Sequence, residues 1–282
     1  MAYTINVRGR LVALDTPKVM GILNATPDSF YAGSRKETER DIAERAEEIV
    51  AQGGEIIDVG AFSTRPGADE VDDDEEWARL RRALAVVRRV QPDAVVSVDT
   101  FRPDVARRCV EEGGADIVND VSEGGITGIV GRPAGVTDSM FRTVADLHVP
   151  YILMSVRADI DAMIRSFADE TQQLFALGAA DIILDPGFGF GKTTAQNYAV
   201  MARMERLQAF DLPVLVGVSR KSMVSRVVGG GPDEALNGTT ALHAIALMKG
   251  AALLRVHDVA AATEVVKIVA AMKNEGKEIA ER

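Results

Sequence analysis

Eight short runs along the chain, 18–23, 55–59, 94–98, 116–118, 151–154, 181–184, 213–218 and 252–256, are nearly continuous in apolar character. Runs of about five residues without polar alternation are what strands buried on both faces of a parallel sheet require. The segments between them change period. Ile42, Ala46, Ile49 and Val50 fall on one helical face, opened by Thr38-x-x-Asp41 as a capping box and closed by Gly53-Gly54. Trp77, Leu80, Leu84 and Val87 form the next stripe; Ile160, Met163, Ile164, Phe167, Thr171 and Leu174 form another, which stops near Gly178. Strand and helix alternate eight times with no element left over. That count predicts an α/β fold, a (β/α)8 TIM barrel, over an open doubly wound sheet. Ahead of it, residues 3–13 alternate weakly around Arg8-Gly9-Arg10 and predict a short N-terminal hairpin that lids one end of the core. No linker, low-complexity tract or repeat interrupts the pattern, so residues 1–282 are expected to form a single barrel domain.

Composition changes this picture only by exclusion. A chain of 282 residues suits one barrel, since such domains run to about 250 residues. Apolar residues at 47% and charged residues at 26% are ordinary for a soluble globular protein. The net charge of −10, with Lys and Arg scattered, argues against nucleic acid or an anionic membrane as partner. An anionic ligand must therefore be met by local charge. The single cysteine, Cys109, cannot form an intrachain disulfide; it reads as a small buried residue within 105–110 of a protein kept in a reducing compartment. No apolar run approaches the roughly 18 residues of a membrane span, and the N-terminus lacks a basic segment followed by an apolar core. A cytoplasmic protein is expected. The acidic run 69–76 reads as a solvated helix entry.

In a barrel of this kind the site lies where strands end and the following loops begin. The first run ends in Asn24, the second in Asp58, the third in Asp99-Thr100, the fourth in Asn119-Asp120 and the sixth in Asp185. The seventh ends in Ser219-Arg220-Lys221-Ser222 and the eighth in Arg255-Val256-His257-Asp258; only the fifth, Met154-Ser155-Val156-Arg157, is plain. Asp120 and Asp258 directly precede helical stretches and can serve as caps. The ring as a whole is harder to assign to chance, because random surface chemistry divides between both barrel ends. Arg255, His257, Arg65, Lys221, Thr64 and Asn24 suit a phosphate or pyrophosphate. Asp99, Asn119 and Asp185 suit the amidine-like edge of a flat heterocycle, because a carboxylate accepts two parallel N–H bonds. No His/Cys cluster has zinc spacing, so a Mg2+ carried in on substrate phosphate fits better than a protein-only metal cage.

The stretch Asp185-Pro186-Gly187-Phe188-Gly189-Phe190-Gly191-Lys192-Thr193 invites comparison with a phosphate-cradling glycine loop. A P-loop needs glycine where Pro186 stands, and a dinucleotide fingerprint needs a third glycine where Thr or Lys stands. What remains is a strand ending in a carboxylate, then a flexible loop with two aromatics. Lys192 is expected as a surface residue at a helix entry.

The run Met20-Gly21-Ile22-Leu23-Asn24-Ala25-Thr26-Pro27-Asp28-Ser29-Phe30, with Ser63-Thr64-Arg65-Pro66-Gly67-Ala68 and Ser97-Val98-Asp99-Thr100, resembles the dihydropteroate synthases. Asn119-Asp120, Asp185 to Lys192, Ser219-Arg220-Lys221-Ser222 and Arg255-Val256-His257-Asp258-Val259 continue the resemblance in order to the end of the barrel. It implies condensation of 4-aminobenzoate with 6-hydroxymethyl-7,8-dihydropterin pyrophosphate, giving 7,8-dihydropteroate and pyrophosphate for folate biosynthesis. By the family's pattern, Asp99, Asn119, Asp185 and Lys221 hold the pterin, with Phe190 and Arg255 flanking its faces. Asn24, Thr64, Arg65, Arg255 and His257 hold pyrophosphate, and Asn24 is the protein ligand to Mg2+. Phe30, Pro66 and Ser222 frame the 4-aminobenzoate, the sulfonamide target position. The resemblance further implies a homodimer through late helices, although the apolar stripe Val265, Val266, Ile268, Val269 and Met272 is also suited to packing on the barrel.

The chain departs from that pattern in places. The first loop reads Tyr31-Ala32-Gly33-Ser34 where the family usually has Ser-Asp-Gly-Gly, and the second has Ala61-Phe62 where many members have Gly-Glu. The fifth run ends Leu153-Met154-Ser155-Val156 in place of Leu-Met-His-Met, and the loop holding Gly131-Arg132-Pro133-Ala134-Gly135 is longer than usual. A non-catalytic pterin-binding homologue and a corrinoid-type folate methyltransferase barrel are the alternatives; the second has no need of Arg255, His257, Thr64 and Arg65 together.

Overall fold

The computed structural model describes residues 3–25, 35–61, 71–124 and 139–273. The first loop's Phe30 and Ala32, the second loop's Phe62, Thr64, Arg65 and Pro66, and the long loop at 131–135 all lie outside the described residues. The predicted hairpin forms from β1 (Thr4–Val7) and β2 (Arg10–Ala13), paired antiparallel. Its turn places Arg8 and Gly9 at φ 51° and 76°, the twist that matches a two-residue connection between antiparallel strands.

The eight apolar runs become eight parallel strands: β3 (Lys18–Asn24), β4 (Ile56–Gly60), β5 (Val95–Asp99), β6 (Ile117–Asp120), β7 (Tyr151–Met154), β8 (Ile182–Asp185), β9 (Leu215–Val216) and β10 (Leu253–Val256). The ladder runs from β8 back through β3, then to β10 and β9, and a parallel bridge between Leu184 and Val214 closes the ring. The seventh run is shorter as a strand than the apolar pattern of 213–218 predicted, because beyond Val216 the chain leaves the ladder for a turn in which Lys221 N–H donates to the Val218 carbonyl. Helices α1 (Arg35–Ala51), α2 (Asp73–Val90), α3 (Pro103–Glu111), α4 (Ser139–Leu147), α5 (Ile160–Leu177), α6 (Thr194–Ala202), α7 (Ser222–Val228), α8 (Leu236–Met248) and α9 (Val259–Lys273) intervene. None of the described helices is long and apolar enough to cross a membrane.

Strand side chains alternate between the barrel interior and the helix layer. Val19, Ile57, Val96 and Val98 face outward to a cluster with Ile49, Leu80, Leu84 and Phe167. Met20, Ile56, Ile117, Ile152, Ile183, Leu215 and Leu253 pack together inside, and Ile5, Val7 and Leu14 of the hairpin region cover them. The hairpin is therefore a lid on the end where strands begin. Two residues further along four of these inward rows stand Asp58, Asn119, Asp185 and Arg255, so the same period that seals the base brings polar groups to the mouth. Register levels three polar strand ends: Asn24 lies opposite Gly60, Gly60 opposite Asp99, and Asp99 opposite Asn119.

Several local expectations are corrected. Helix α1 starts at Arg35, so Thr38 lies inside it and does not open it, and Val50 is exposed while Ile42, Ala46 and Ile49 are buried. In the acidic run, Asp72 caps α2 by accepting from the Glu75 N–H at 2.8 Å. Glu76, however, is fully buried and pairs with Arg102. Helix α5 runs from the Asp159 cap to Gly178 at φ 95°, where the stripe predicted its end. Cys109 is buried as expected, and Val266 and Val269 of α9 face the core while Ile268 and Met272 stay exposed.

Candidate active site

Arg255 on β10 organises the mouth. Its Nε donates to Asp58 Oδ2 at 2.6 Å and its Nη2 to Asp99 Oδ2 at 2.6 Å, one guanidinium spanning two carboxylates. Asn119 Nδ2 donates to the same Asp58 oxygen at 3.2 Å. Three of the predicted residues are thus joined: Arg255 binds Asp99 directly and reaches Asn119 through Asp58, which the sequence marks only as the end of a strand. Asp58 sits inside the apolar run Ile56-Ile57-Asp58-Val59, and a carboxylate in such a run is the signal that pointed to it. Its Oδ1 and the Asn119 Oδ1 are buried without a hydrogen-bond partner among the described residues. Burial pushes Asp99 up to about 7 against the pull of Arg255. Burial also opposes charge on Arg255, but Asp58 and Asp99 outweigh it and hold the guanidinium protonated.

Across the mouth, Asp185 ends β8 and is nearly buried. Its Oδ1 accepts from the Gly187 N–H at 2.7 Å, which turns the chain sharply out of the strand. Burial raises its affinity for a proton, with Lys221 opposing. Lys221 donates its Nζ to the Phe188 carbonyl and lies 4.6 Å from the centre of the Phe190 ring. Burial pushes the ammonium down to about 8, with Asp185 pulling the other way. Phe190, Lys221 and Asp185 therefore share one wall. The glycines permit it: a Cβ on Gly187, at φ 63°, would run into the Ser155 carbonyl, and one on Gly189, at φ 84°, would come within 2.9 Å of Lys221 Cδ. Close approach, and not phosphate wrapping, is their role.

Lys192 is not the surface residue expected. Its Nζ donates to the carbonyls of Gly187 at 2.9 Å, Ser155 at 3.0 Å and Phe190 at 3.3 Å, pinning the glycine loop to the end of β7. Burial pushes this ammonium down to about 8 as well. Ser155, at the plain strand end, is answered by Glu123 from the loop after β6. Glu123 Oε1 accepts from the Ser155 hydroxyl at 2.7 Å and the Val156 N–H at 3.0 Å. Asp120 is an anchor for that loop, and not a helix cap, accepting from Ser122, Gly124 and the Tyr151 hydroxyl.

At the last strand, His257 stands beside Ser219, with 3.1 Å between its Nδ1 and Ser219 Oγ. Burial, aided by Arg255, pushes the imidazole down to about 4, so it is neutral at physiological pH. Asp258 binds Arg220 through both carboxylate oxygens at 2.7 and 2.8 Å, an ion pair in place of the cap expected. Asn24 is exposed at the end of β3, and Ser222 is exposed at the start of α7. Among the described residues no group of three or more His, Cys, Asp or Glu side chains is placed to hold a metal. The amide of Asn24 carries a hard oxygen of the kind Mg2+ takes. Thr64, Arg65, Phe30 and Pro66 lie outside the described residues.

Residues 20–257 match the family of pterin binding enzymes. The chain is 37% identical over 281 residues to the dihydropteroate synthase of Escherichia coli (strain K12), covering 94% of both chains. Its structure superimposes on the dihydropteroate synthase of Xanthomonas albilineans with 4-aminobenzoic acid at a TM-score of 0.83 and 35% identity, covering 97% of this chain and 99% of that one. For the same enzyme in complex with 7,8-dihydropteroate the TM-score is 0.83 at 32% identity, covering 96% and 99%.

Proposed function

The chain belongs to the dihydropteroate synthase family of pterin-binding enzymes, and we propose how its own residues carry the condensation of 4-aminobenzoate with 6-hydroxymethyl-7,8-dihydropterin pyrophosphate. The observation that carries the assignment is the paired wall of the mouth: Asp58 and Asn119 present buried oxygens with no partner among the described residues, while Asp185 and Lys221 stand opposite. Unpaired polar atoms in a buried site cost about 1–3 kcal/mol each until a ligand satisfies them. A pterin ring offers the donors and acceptors to do so. Asp99, Asn119, Asp185 and Lys221 hold its edge, and Phe190 and the Arg255 guanidinium lie against its faces. The binding of 4-aminobenzoic acid and of 7,8-dihydropteroate by the Xanthomonas albilineans enzyme supports the choice of ligands.

In the reaction, the bond between the pterin methylene and the pyrophosphate oxygen breaks and its electron pair leaves with pyrophosphate. The aniline nitrogen forms the new C–N bond and gives up a proton to solvent. Charge develops on the leaving group, so fixed donors there contribute most. Arg255 supplies charge, His257 a neutral N–H, and Asn24, Thr64 and Arg65 complete the pyrophosphate residues in this reading. Asn24 would hold Mg2+, which when bound neutralises pyrophosphate charge. Phe30, Pro66 and Ser222 frame the 4-aminobenzoate. The amine is already neutral, so no strong base is required, and none of the side chains at the mouth is assigned one. The reading extends to a transferase of the cytoplasm that works as a homodimer, with the exposed apolar residues Ile245 and Met248 of α8 and Ile268 and Met272 of α9 in support. The test is to supply both substrates with Mg2+ and follow pyrophosphate. Release that depends on 4-aminobenzoate is expected; no release from folded protein that binds pterin would refute it.

A further inference from the structure

Two consecutive residues after β9 bind two consecutive residues at the end of β10. Arg220, at φ 53°, grips Asp258 with two N–H groups, and Ser219 meets His257. Arg45 Nη2 donates to the His257 carbonyl at 2.6 Å from the other side. The histidine backbone is therefore fixed, and what remains to be set is the ring. Beside the ring lies the Ser219 hydroxyl. The His257 backbone N–H donates to Ser219 Oγ at 3.1 Å, occupying one of the hydroxyl's two lone pairs. The same oxygen lies 3.1 Å from His257 Nδ1. Ser219 is 4% exposed, so its hydroxyl proton has to find an acceptor within the protein. Among the described residues, Nδ1 is the acceptor within reach. Were Nδ1 protonated instead, two donors would converge on Oγ and the hydroxyl proton would be left buried without a partner, a cost comparable to a lost hydrogen bond.

We propose that Ser219 is a positioning residue for the reaction: by donating its hydroxyl proton to His257 Nδ1 it holds the ring in the Nε2–H tautomer, so that the histidine presents a donor, and never a lone pair, to the leaving pyrophosphate. This rests on the reading of His257 as a pyrophosphate residue. A neutral ring is the right partner for such control, because a doubly protonated imidazole has no tautomer to choose. The arrangement adds a directed hydrogen bond where Arg255 supplies the charge.

The chain contains three histidines, His148, His243 and His257, so long-range 1H–15N spectra of the 15N-histidine-labelled full chain resolve them, and His257→Asn identifies the signal in question. At neutral pH the wild type is expected to show His257 with Nε2 protonated and Nδ1 bare. Ser219→Ala is expected to lose that single tautomer, and its affinity for inorganic pyrophosphate with Mg2+ to fall roughly 10-fold, the loss of one hydrogen bond to a charged group. Affinity for a pterin lacking pyrophosphate should stay at the wild-type value, which a general loss of structure would not allow, and Ser219→Thr should restore the tautomer. A wild-type spectrum with Nδ1 protonated overturns the proposal without reference to any variant, as does a Ser219→Ala protein that keeps both the Nε2–H tautomer and wild-type pyrophosphate affinity. Failure of the functional reading is separate: it shows as wild-type protein that does not release pyrophosphate, whatever tautomer the spectrum reports.

Discussion

Replacing Arg255 by Met removes the one cation among the described residues that spans Asp58 and Asp99, while keeping the bulk of its aliphatic stem. Two hydrogen bonds of 2.6 Å are lost, each between charged groups, and each such bond contributes about 1.5–3 kcal/mol. Breaking a buried pair from one side costs about 3–5 kcal/mol because the abandoned charge stays buried. Both routes give a large share of an ordinary domain's stability of about 5–15 kcal/mol. The cost should depend on pH. Asp99 sits at about 7 in the folded protein against 3.8 for an ordinary aspartate, so the folded state binds more protons than the unfolded chain across that interval. Stability therefore falls as pH rises from about 4 to about 7. Removing the guanidinium, whose charge holds Asp99 down, carries the upper edge of that window higher, so the variant goes on losing stability where the wild type has stopped. Between pH 6 and pH 8 the penalty should grow by up to about 1.4 kcal/mol: one proton held over two pH units costs about 2.7 kcal/mol, and the wild type, titrating in mid-window, loses about half of that itself. Urea unfolding of both proteins at the two pH values measures it. A penalty that is absent, or that shrinks as pH rises, would refute the assignment of Arg255 as the cation that balances this carboxylate pair.

Two further perturbations follow from the opposite wall. Lys221→Ala and Asp185→Asn should each weaken pterin binding roughly 10- to 100-fold, the equivalent of one charge-assisted hydrogen bond. Wild-type affinity should itself decline as pH rises through about 8, where Lys221 gives up its proton; unchanged affinity in both variants, by fluorescence titration, would remove these residues from the site. Lys192→Met strips three carbonyls of their shared donor and should cost about 3 kcal/mol in urea unfolding, with weaker pterin binding as Phe190 loosens; a variant as stable as wild type would show that the lysine does not pin the loop.

The barrel was legible because its signal is local and repeated. Each apolar run but the seventh was near the length of its strand, and each helix stripe lay between two of them. The polar ring was legible for a related reason: inward-facing rows end at the mouth, so Asn24, Asp99, Asn119, Asp185 and Arg255 follow from where apolar character stops. Lys192 was not legible, because its partners are backbone carbonyls of Ser155, Gly187 and Phe190, which carry no side-chain signature and converge only after β7 and β8 pair. The pairing of Arg220 with Asp258 was hidden likewise: an aspartate before a helix looks like a cap whether or not a distant arginine claims it. Asp58 showed itself as a charge in an apolar run, but its dual grip on Arg255 and Asn119 depends on strands β4, β6 and β10, and no spacing in the chain encodes it. The departure at Ser155 becomes intelligible through Glu123, which comes from the loop after β6 to occupy the serine's hydroxyl and the following N–H.

The chemistry assigned to this mouth is the joining of an arylamine to a pterin methylene as pyrophosphate leaves. Mass-spectrometric detection of 7,8-dihydropteroate alongside a pyrophosphate assay, with the purified chain, 6-hydroxymethyl-7,8-dihydropterin pyrophosphate, Mg2+ and 4-aminobenzoate, tests it most directly. The two products are expected in equal amounts and only when both substrates are present. Pyrophosphate without dihydropteroate, or neither product from a folded protein that binds the pterin, would contradict it.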